Sequence, residues 1–330
     1  RLSAGLAARG ESVRLALDEQ ESLSWLAPSG APGVAVGTWR EAAVEDADVW
    51  VETFGCGMPP QASPSRRRVL VNVEHLSAEP YVDRSHAKPS PRFDADGATL
   101  TTWFYYPGFR PANGGLIREP GLLDSRRRFG HGIDWLRARG IEKGAGERCV
   151  SLFCYANDAF EACLDALSRS PTLLLLTPGP ATEQAILCLG PDLRRGSLRA
   201  VRLPAMPQVD FDHLIWTGDL AFVRGEDSLV RAIWSGVPFV WQLYPQDDEA
   251  RAAKLHAFID LFLEGAAPEL APLRRLFAIW NGLVPAEGFV SALDAIDMAV
   301  WRRRCLVFRE RLAARPDLCE LLVEFAAQKR

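Results

Sequence analysis

Short apolar runs alternate with helix-like segments along residues 148–244, and this alternation restricts the fold more than any other feature of the chain. The apolar runs are 150–155, 172–177, 198–203, 220–223 and 239–244, and the predicted helices between them are 158–168, 180–189, 211–217 and 227–235. Strands that alternate with helices favour a parallel sheet with helices on its faces. The sequence therefore predicts an α/β fold.

The first part of the chain shows a similar alternation. Its predicted strands are 12–17, 33–36, 49–54 and 68–73. A helix that ends at Gly10 precedes the first of them, and such a helix normally follows an earlier strand. We therefore expect a strand and a loop upstream of Arg1. Residues 77–120 are rich in proline, glycine and aromatic residues, which predicts a long loop. Loops of this length usually have a function, such as ligand binding.

The length of 330 residues predicts two domains of about 150 residues each. We expect an N-terminal Rossmann-like domain over 1–140 without its first strand and loop, and a C-terminal Rossmann-like domain over 146–314. The glycine-rich stretch 138–146 marks the boundary. Helices are predicted over most of 246–330, and the last one, within 315–330, is expected to pack on the first domain.

Composition and charge exclude several classes of protein. The net charge of -4 argues against a general nucleic-acid binder, although one of the arginine runs 66–68, 126–128 or 302–304 could attract an acidic protein. Seven scattered cysteines show no metal-ligand spacing and are predicted to be reduced and mostly buried. With no signal peptide and no aliphatic run longer than 173–176, we expect a cytoplasmic protein that does not enter a membrane.

The segment Leu220–Arg231 has the strongest sign of a ligand site. An apolar run ends in the sequence Arg-Gly-Glu-Asp-Ser over 224–228, which then opens a predicted helix. The N–H groups at a helix start suit a phosphate, and the carboxylates of Glu226 and Asp227 can accept hydrogen bonds from sugar hydroxyls. This pattern favours a nucleotide sugar. The alternative is that Asp227 or Ser228 only caps the helix.

Other candidate residues stand at comparable positions. Phe153 and Tyr155 close a predicted strand, and Gln208 and Phe211 lie at a helix start. Because parallel strands end at the same edge of a sheet, we expect these residues to converge with Arg224. Each also has an ordinary alternative: the two strand aromatics and Phe211 as core residues, Gln208 as a helix-start group, and Arg224 as an ion-pair partner.

Several catalytic classes lack their motifs. The five histidines have neither H-x-x-x-H nor H-E-x-x-H spacing, so no metal site is predicted. The chain also lacks G-x-S-x-G, G-x-x-x-x-G-K-[ST] and G-x-G-x-x-G. These absences disfavour serine hydrolases, P-loop nucleoside triphosphatases and dinucleotide-dependent dehydrogenases.

Residues 210–246 resemble the protein-arginine rhamnosyltransferases that modify bacterial translation elongation factor P, and segments 71–79, 106–109, 114–119 and 151–155 resemble motifs of that family in the same order. The resemblance implies a GT-B fold, with two Rossmann-like domains facing across a cleft. It also implies an inverting enzyme that transfers L-rhamnose from dTDP-β-L-rhamnose to a single arginine of elongation factor P, without a metal or other cofactor.

The resemblance further assigns roles to individual residues. Phe153 and Tyr155 help to hold the thymidine nucleotide, and Glu226 is essential for activity. The full set of implied donor-binding residues is Phe153, Tyr155, Gln208, Phe211, Arg224, Glu226, Asp227 and Ser228. The family's proposed general base lies in a D-N-[YF]-G-D loop that we expect upstream of Arg1, so no residue here is assigned that role.

Two alternatives remain open from the sequence. One is a different GT-B enzyme that uses another sugar nucleotide or epimerises one. The other is a fragment that binds elongation factor P without catalysis, because the residues of the expected general base are not in the sequence. A preference for one sugar nucleotide would test the first alternative, and modification of the factor would test the second.

Overall fold

Parallel strands alternate with helices along most of the chain. The computed structural model describes residues 1–41, 47–57, 68–93, 99–245 and 248–330. These residues fall into two units, of which one comprises Arg1–Leu122 with Leu312–Arg330 and the other Leu123–Arg311. The α/β fold class predicted from the sequence is confirmed.

The N-terminal unit contains two sheets among its described residues. Its elements are α1 (Leu2–Ala7), β1 (Val13–Leu17), α2 (Leu23–Leu26), β2 (Val34–Thr38), β3 (Val49–Thr53), β4 (Val69–Val73), α3 (Pro80–Ser85), β5 (Pro89–Phe93) and β6 (Thr99–Tyr105). β1 and β2 form a parallel pair, and the larger sheet has the order β3-β4-β6-β5 with β5 antiparallel to β6. All four strands predicted for this part of the chain are present.

The prediction of a long loop over 77–120 is wrong for the first half of that range. The helix α3 and the strands β5 and β6 occupy that half, and residues 106–121 form the loop that remains. Pro89 and Pro91 lie in β5, which is at the edge of its sheet, where a missing N–H group does not break a ladder on both sides. The proline content therefore indicated an edge strand rather than a loop.

The C-terminal unit is built on a sheet of six described strands. Its elements are α4 (Leu122–Phe129), α5 (Ile133–Arg137), β7 (Arg148–Leu152), α6 (Phe160–Ser168), β8 (Thr172–Leu176), α7 (Pro180–Leu189), β9 (Arg194–Arg195), β10 (Leu198–Arg202), α8 (Gln208–Thr217), β11 (Leu220–Arg224), α9 (Gly225–Ser235), β12 (Phe239–Gln242), α10 (Asp248–Leu263), α11 (Pro272–Trp280), α12 (Phe289–Asp294) and α13 (Met298–Ala313). A last helix, α14 (Leu318–Lys329), belongs to the N-terminal unit. Short 3-10 helices lie at Trp39–Glu41, Pro268–Leu270 and Ala286–Gly288.

The order of the strands places a topological switch point in the C-terminal unit. The order is β12-β11-β7-β8-β10-β9, and all pairs except β10 with β9 are parallel. The chain runs from β7 outward through β8 to β10, then returns to the other side of β7 for β11 and β12. In open α/β sheets, ligands bind outside the carboxyl ends of the strands where this reversal occurs. The topology therefore points to the carboxyl ends of β7 and β11.

The division between the units lies earlier in the chain than the boundary predicted near 138–146. Trp135, Leu136 and Ile141 pack with Leu173 and Leu214 in the core of the C-terminal unit, so α5 and the segment after it belong there. This packing could not be inferred from the glycine-rich composition of the segment, because glycine marks turns within a unit as well as between units.

The helix α14 packs against the larger sheet of the N-terminal unit. Leu318, Leu322 and Phe325 share a buried cluster with Val71 and Tyr105. Asp317 caps the helix, and its carboxylate accepts hydrogen bonds from the backbone N–H groups of the first turn. The end of the chain thus covers strands that lie more than 200 residues earlier in the sequence.

All seven cysteines are free thiols, and Cys56 is the one with an exposed side chain. Cys149, Cys154, Cys163, Cys305 and Cys319 are buried, as predicted for reduced thiols within a core. No helix within the described ranges is both long enough and apolar enough to span a bilayer.

Candidate functional site

Arg224 and two aromatic residues meet at the switch point of the C-terminal sheet. The guanidinium carbon of Arg224, the last residue of β11, lies 4.3 Å from the ring centroid of Phe153 and 4.5 Å from that of Tyr155. Its Nη1 donates a hydrogen bond to the carbonyl oxygen of Cys154 at 3.3 Å. The arginine therefore stacks on both rings, and this cation–π contact fixes a positive charge at the sheet edge.

The two aromatic residues follow β7 and do not lie within it as predicted. The strand ends at Leu152, although the N–H of Phe153 still donates to the carbonyl of Phe222 on β11 at 3.0 Å. The N–H of Tyr155 donates instead to Oε1 of Gln242 at 2.8 Å. The backbone leaves the sheet here because a side chain, and not a neighbouring strand, accepts its hydrogen bond.

Side-chain amides hold the loop after β7. Gln242 ends β12 with its side chain buried, and its Nε2 also donates to the carbonyl of Ala156 at 3.4 Å. Gln184 of α7 accepts from the N–H of Asn157 and donates to its carbonyl, at 3.1 and 3.2 Å. Asn157 in turn donates to the carbonyl of Trp280 at 2.6 Å. These bonds from three elements preorganise the loop that carries Tyr155.

Gln242 could not be recognised from the sequence. An amide at a strand end gives no recognisable sequence signal, and its partner is 87 residues away. The buried position of Gln242 is what distinguishes it from the many exposed glutamines of an ordinary surface.

Phe211 extends the aromatic cluster from the helix α8. Its ring centroid lies 5.2 Å from that of Phe153, with the ring planes at 72°. Gln208, the first residue of the same helix, is half-buried and precedes Phe211 by three positions. Residues with this spacing project from the same side of a helix, so Gln208 lies on the side that faces the cluster.

The first turn of α9 adjoins the stacked arginine. Arg224 occupies the N-cap position and Gly225 begins the helix, so the alternative that Asp227 or Ser228 caps it is wrong. The hydroxyl of Ser228 donates to the carbonyl of Arg224, one turn back. The N–H groups of a first helical turn point away from the helix and lie at the positive end of its dipole, so they favour an anion.

Gly225 adopts a backbone conformation that begins this turn. Its φ of +68° is in the left-handed region, which favours glycine, and an added Cβ would lie 3.5 Å from the Tyr155 hydroxyl oxygen. The Trp241 indole donates to the carbonyl of Gly225 at 2.8 Å and holds the turn from β12.

Glu226 forms an ion pair with a lysine from another helix. Nζ of Lys254, on α10, lies 2.7 Å from Oε1 of Glu226, and their side chains are 15% and 24% exposed. Asp227 follows with an exposed side chain. Lys254 could not be recognised from the sequence, because most lysines are solvent-exposed surface residues.

The pKa of Tyr155 depends on the charged residues of the site. Burial raises the pKa of its phenol, the Arg224 guanidinium lowers it, and Tyr244 and Glu226 raise it, with a net increase. The phenol therefore remains protonated at neutral pH and can donate a hydrogen bond. Tyr244 lies at the rim, with its ring centroid 5.5 Å from that of Tyr155 and a side chain that is 66% exposed.

The structure thus brings the predicted residues to one edge of one sheet. Direct contacts connect Phe153, Tyr155, Phe211, Arg224 and Ser228. Glu226 and Asp227 lie in the helical turn that follows, and Gln208 is one turn from Phe211. Across the described ranges, His, Cys, Asp and Glu side chains form no group of three that could hold a metal ion.

Comparisons with known proteins give a consistent result. The family model described as Elongation-Factor P (EF-P) rhamnosyltransferase EarP matches residues 1–327. The chain is 38% identical to a protein-arginine rhamnosyltransferase of Pseudomonas aeruginosa over 359 residues, which cover 99% of this chain and 94% of that protein. It is 35% identical to one from Neisseria meningitidis, with coverage of 97% and 90%.

A solved structure is also similar. It comes from work on the structural basis for EarP-mediated arginine glycosylation of translation elongation factor EF-P. The match has a TM-score of 0.60 and 31% sequence identity, and it covers 67% of this chain and 75% of the solved chain. This similarity agrees with the predicted fold class.

Proposed function

Because the chain belongs to the EarP family of elongation factor P rhamnosyltransferases, we propose that it transfers L-rhamnose from dTDP-β-L-rhamnose to a single arginine of translation elongation factor P. The proposed reaction inverts the configuration of the anomeric carbon. We place it in the bacterial cytoplasm, a reducing compartment consistent with the seven free thiols.

The observation that supports the donor assignment most strongly is the stacking of Arg224 on Phe153 and Tyr155 beside the first turn of α9. A nucleoside diphosphate sugar needs an aromatic surface for its base and cations or N–H groups for its diphosphate. Both lie at the switch point of the sheet, where α/β proteins bind nucleotides.

The proposed roles of the individual residues follow from their chemistry. The aromatic side chains of Phe153, Tyr155 and Phe211 would contact the thymidine, with Gln208 as a hydrogen-bonding group beside them. The carboxylates of Glu226 and Asp227 would accept hydrogen bonds from sugar hydroxyls. Ser228 supports the turn through its hydrogen bond to Arg224.

The chemical difficulty of this reaction lies in the acceptor. A guanidinium keeps its proton up to a pH above about 12 and its lone pairs are delocalised, so it is a poor nucleophile. In the proposed step, a guanidinium nitrogen attacks the anomeric carbon and a C–N bond forms as the C–O bond to the diphosphate breaks. The electron pair leaves with thymidine diphosphate, and the guanidinium gives its proton to a general base.

The departing diphosphate requires stabilisation of its negative charge. We assign this task to the Arg224 guanidinium and to the N–H groups of the first turn of α9, and not to a metal ion. Such groups are already oriented before the reaction, so they need no reorganisation as charge develops. Glu226 would hold the sugar in the orientation for displacement.

The central experiment is the modification of the proposed acceptor. Purified full-length protein is incubated with elongation factor P and dTDP-β-L-rhamnose, and the factor is then measured by intact-mass spectrometry. We expect the mass of one added deoxyhexose, located on one arginine by peptide fragmentation. An unmodified factor with an otherwise folded enzyme would contradict the proposal and favour a binding protein without catalysis.

The donor is tested separately by ligand-dependent stability. At a concentration about 100 times its Kd, a ligand raises the stability of a protein by about 2.7 kcal/mol. We expect dTDP-β-L-rhamnose to raise the Tm more than dTDP-glucose or UDP-glucose does at the same concentration. A larger increase with another sugar nucleotide would favour a different GT-B enzyme.

A further inference from the structure

Lys254 forms an ion pair with Glu226 at the candidate site. The sequence around Lys254 does not distinguish this lysine from a solvent-exposed one. We propose that Lys254 is a positioning residue, which holds the Glu226 carboxylate in place and offsets its charge beside the diphosphate of the donor. The inference rests on the proposed function, because it requires an anionic nucleotide sugar at the first turn of α9. It adds a residue from outside the segments that resemble family motifs.

Opposing charges lie in the first turn of α9. The N–H groups of this turn attract an anion, but Glu226 and Asp227 are themselves negative. A diphosphate placed beside two carboxylates is repelled unless cations lie nearby. Arg224 supplies one cation and the ammonium of Lys254, 2.7 Å from Oε1 of Glu226, supplies the other.

Packing holds Lys254 in this position. The ring of Phe258, one turn later on α10, lies 5.1 Å from the ring of Trp241 at 72°. Trp241 in turn donates a hydrogen bond to the carbonyl of Gly225. Because Lys254 and Phe258 are four residues apart, they project from the same side of α10 toward this turn. The helix therefore presents the ammonium to Glu226 before any ligand binds.

A second lysine in the same unit provides a matched control. Nζ of Lys143 lies 3.3 Å from Oδ2 of Asp219, and the side chains are 26% and 42% exposed. Asp219 precedes β11, so this pair lies at the amino edge of the sheet, opposite the candidate site. Partly exposed ion pairs of this kind contribute little to stability. Substitution of Lys143 therefore removes one positive charge, as substitution of Lys254 does, but leaves the candidate site unchanged.

The test compares the variants K254M, K254R and K143M in steady-state rhamnosyl transfer. We expect K254M to raise the KM for dTDP-β-L-rhamnose by at least about tenfold, with a smaller change in kcat. K254R keeps the positive charge, so we expect its KM to remain within about threefold of wild type. K143M should match wild type. If K254M does not fold, K254Q removes the same charge.

A double-mutant cycle separates positioning from a merely structural role. In an E226Q background, K254M should have little further effect on donor affinity measured by calorimetry.

The outcomes distinguish this inference from the proposed function. A wild-type KM in folded K254M, or an equal loss of donor affinity from K254M in the wild-type and E226Q backgrounds, would overturn the role of Lys254 and leave the proposed function intact. If the wild-type protein neither binds dTDP-β-L-rhamnose nor transfers rhamnose, the proposed function fails and the inference fails with it.

Discussion

Arg231 of α9 and Asp212 of α8 form a buried bidentate ion pair. Nε of the guanidinium lies 2.7 Å from Oδ1 of the carboxylate, and Nη2 lies 2.7 Å from Oδ2. The side chains are 1% and 6% exposed. The pair connects the two helices whose first turns carry Gln208 and Glu226, so it sets the distance between two parts of the candidate site.

This pair leads to a prediction about stability. Asp212→Asn leaves a buried guanidinium without its carboxylate, and we expect it to lower the free energy of unfolding by about 3–5 kcal/mol. The control is Asp134→Asn, because Asp134 forms an exposed pair with Arg137 in which the side chains are 99% and 69% exposed. We expect Asp134→Asn to lower the free energy of unfolding by less than about 1 kcal/mol. Urea denaturation followed by circular dichroism measures both, and equal losses would contradict the prediction.

Glu226 is predicted to be essential for transfer but not for folding. Glu226→Gln keeps the size of the side chain and removes its charge. We expect kcat/KM for rhamnosyl transfer to fall by about 10²-fold, because the donor would no longer be held for displacement. The Tm should remain close to wild type, since the side chain is partly exposed. Unchanged transfer by the folded variant would remove Glu226 from the site.

Arg224 is predicted to act through its planar guanidinium as well as its charge. Arg224→Lys keeps the charge but loses the stacking on Phe153 and Tyr155, and we expect about a tenfold higher KM for the donor. Arg224→Met should bind the donor more weakly than Arg224→Lys, because it loses the positive charge as well as the stacking. Donor affinity by calorimetry checks both variants. Equal affinities for wild type and the lysine variant would show that the stacking does not matter.

Gly225 is predicted to be required by its backbone conformation and its neighbour. Gly225→Ala places a side chain at a φ of +68°, in van der Waals contact with the Tyr155 hydroxyl at the candidate site. The matched control is Gly265→Ala, where φ is +69° and no atom lies within 4 Å of the added Cβ. Both variants should lose about 1–2 kcal/mol of stability, but only Gly225→Ala should lose donor affinity. Equal donor affinities would contradict this role for Gly225.

His86 is predicted to make stability depend on pH. Burial lowers the pKa of its imidazole, whose Nδ1 accepts a hydrogen bond from the N–H of Tyr106 at 3.0 Å. The unfolded state, with a pKa near 6.5, therefore binds a proton that the folded state does not. The stability is fully present above pH 6.5 and is lost as the pH falls from that value toward the lower folded pKa.

The measurement for His86 is urea denaturation between about pH 5 and 7.5. His86→Gln should reduce the loss of stability on acidification relative to wild type, because glutamine does not titrate. His256 has an exposed side chain on α10, so His256→Gln serves as the control and should follow the wild-type curve. An identical pH dependence in wild type and His86→Gln would refute the prediction.

The strand and helix pattern was predictable because it depends on local periodicity and turn residues. The eight strands predicted over 12–223 and the one over 239–244 all exist, with ends displaced by up to three residues. The errors have physical causes. Prolines in the edge strand β5 resembled a loop, and β7 ended early because Gln242 accepts the Tyr155 N–H.

The candidate site was partly predictable for a different reason. Parallel strands end at one edge, so Phe153, Tyr155 and Arg224 had to be near each other once a parallel sheet was predicted. Gln242 and Lys254 could not be found in this way. Each acts through contacts with residues distant in sequence, and neither has a motif of its own.

The sequence by itself therefore determined the fold class, the edge of the sheet at which the aromatic and charged residues lie, and the glycine turn at Gly225. Apolar periodicity and the special backbone freedom of glycine encode these features locally. Only the tertiary structure decided which side chains support them: the Arg231–Asp212 pair between helices, the amides around Tyr155 and the lysine at Glu226. Such contacts depend on how separate elements pack, and sequence spacing does not encode that packing.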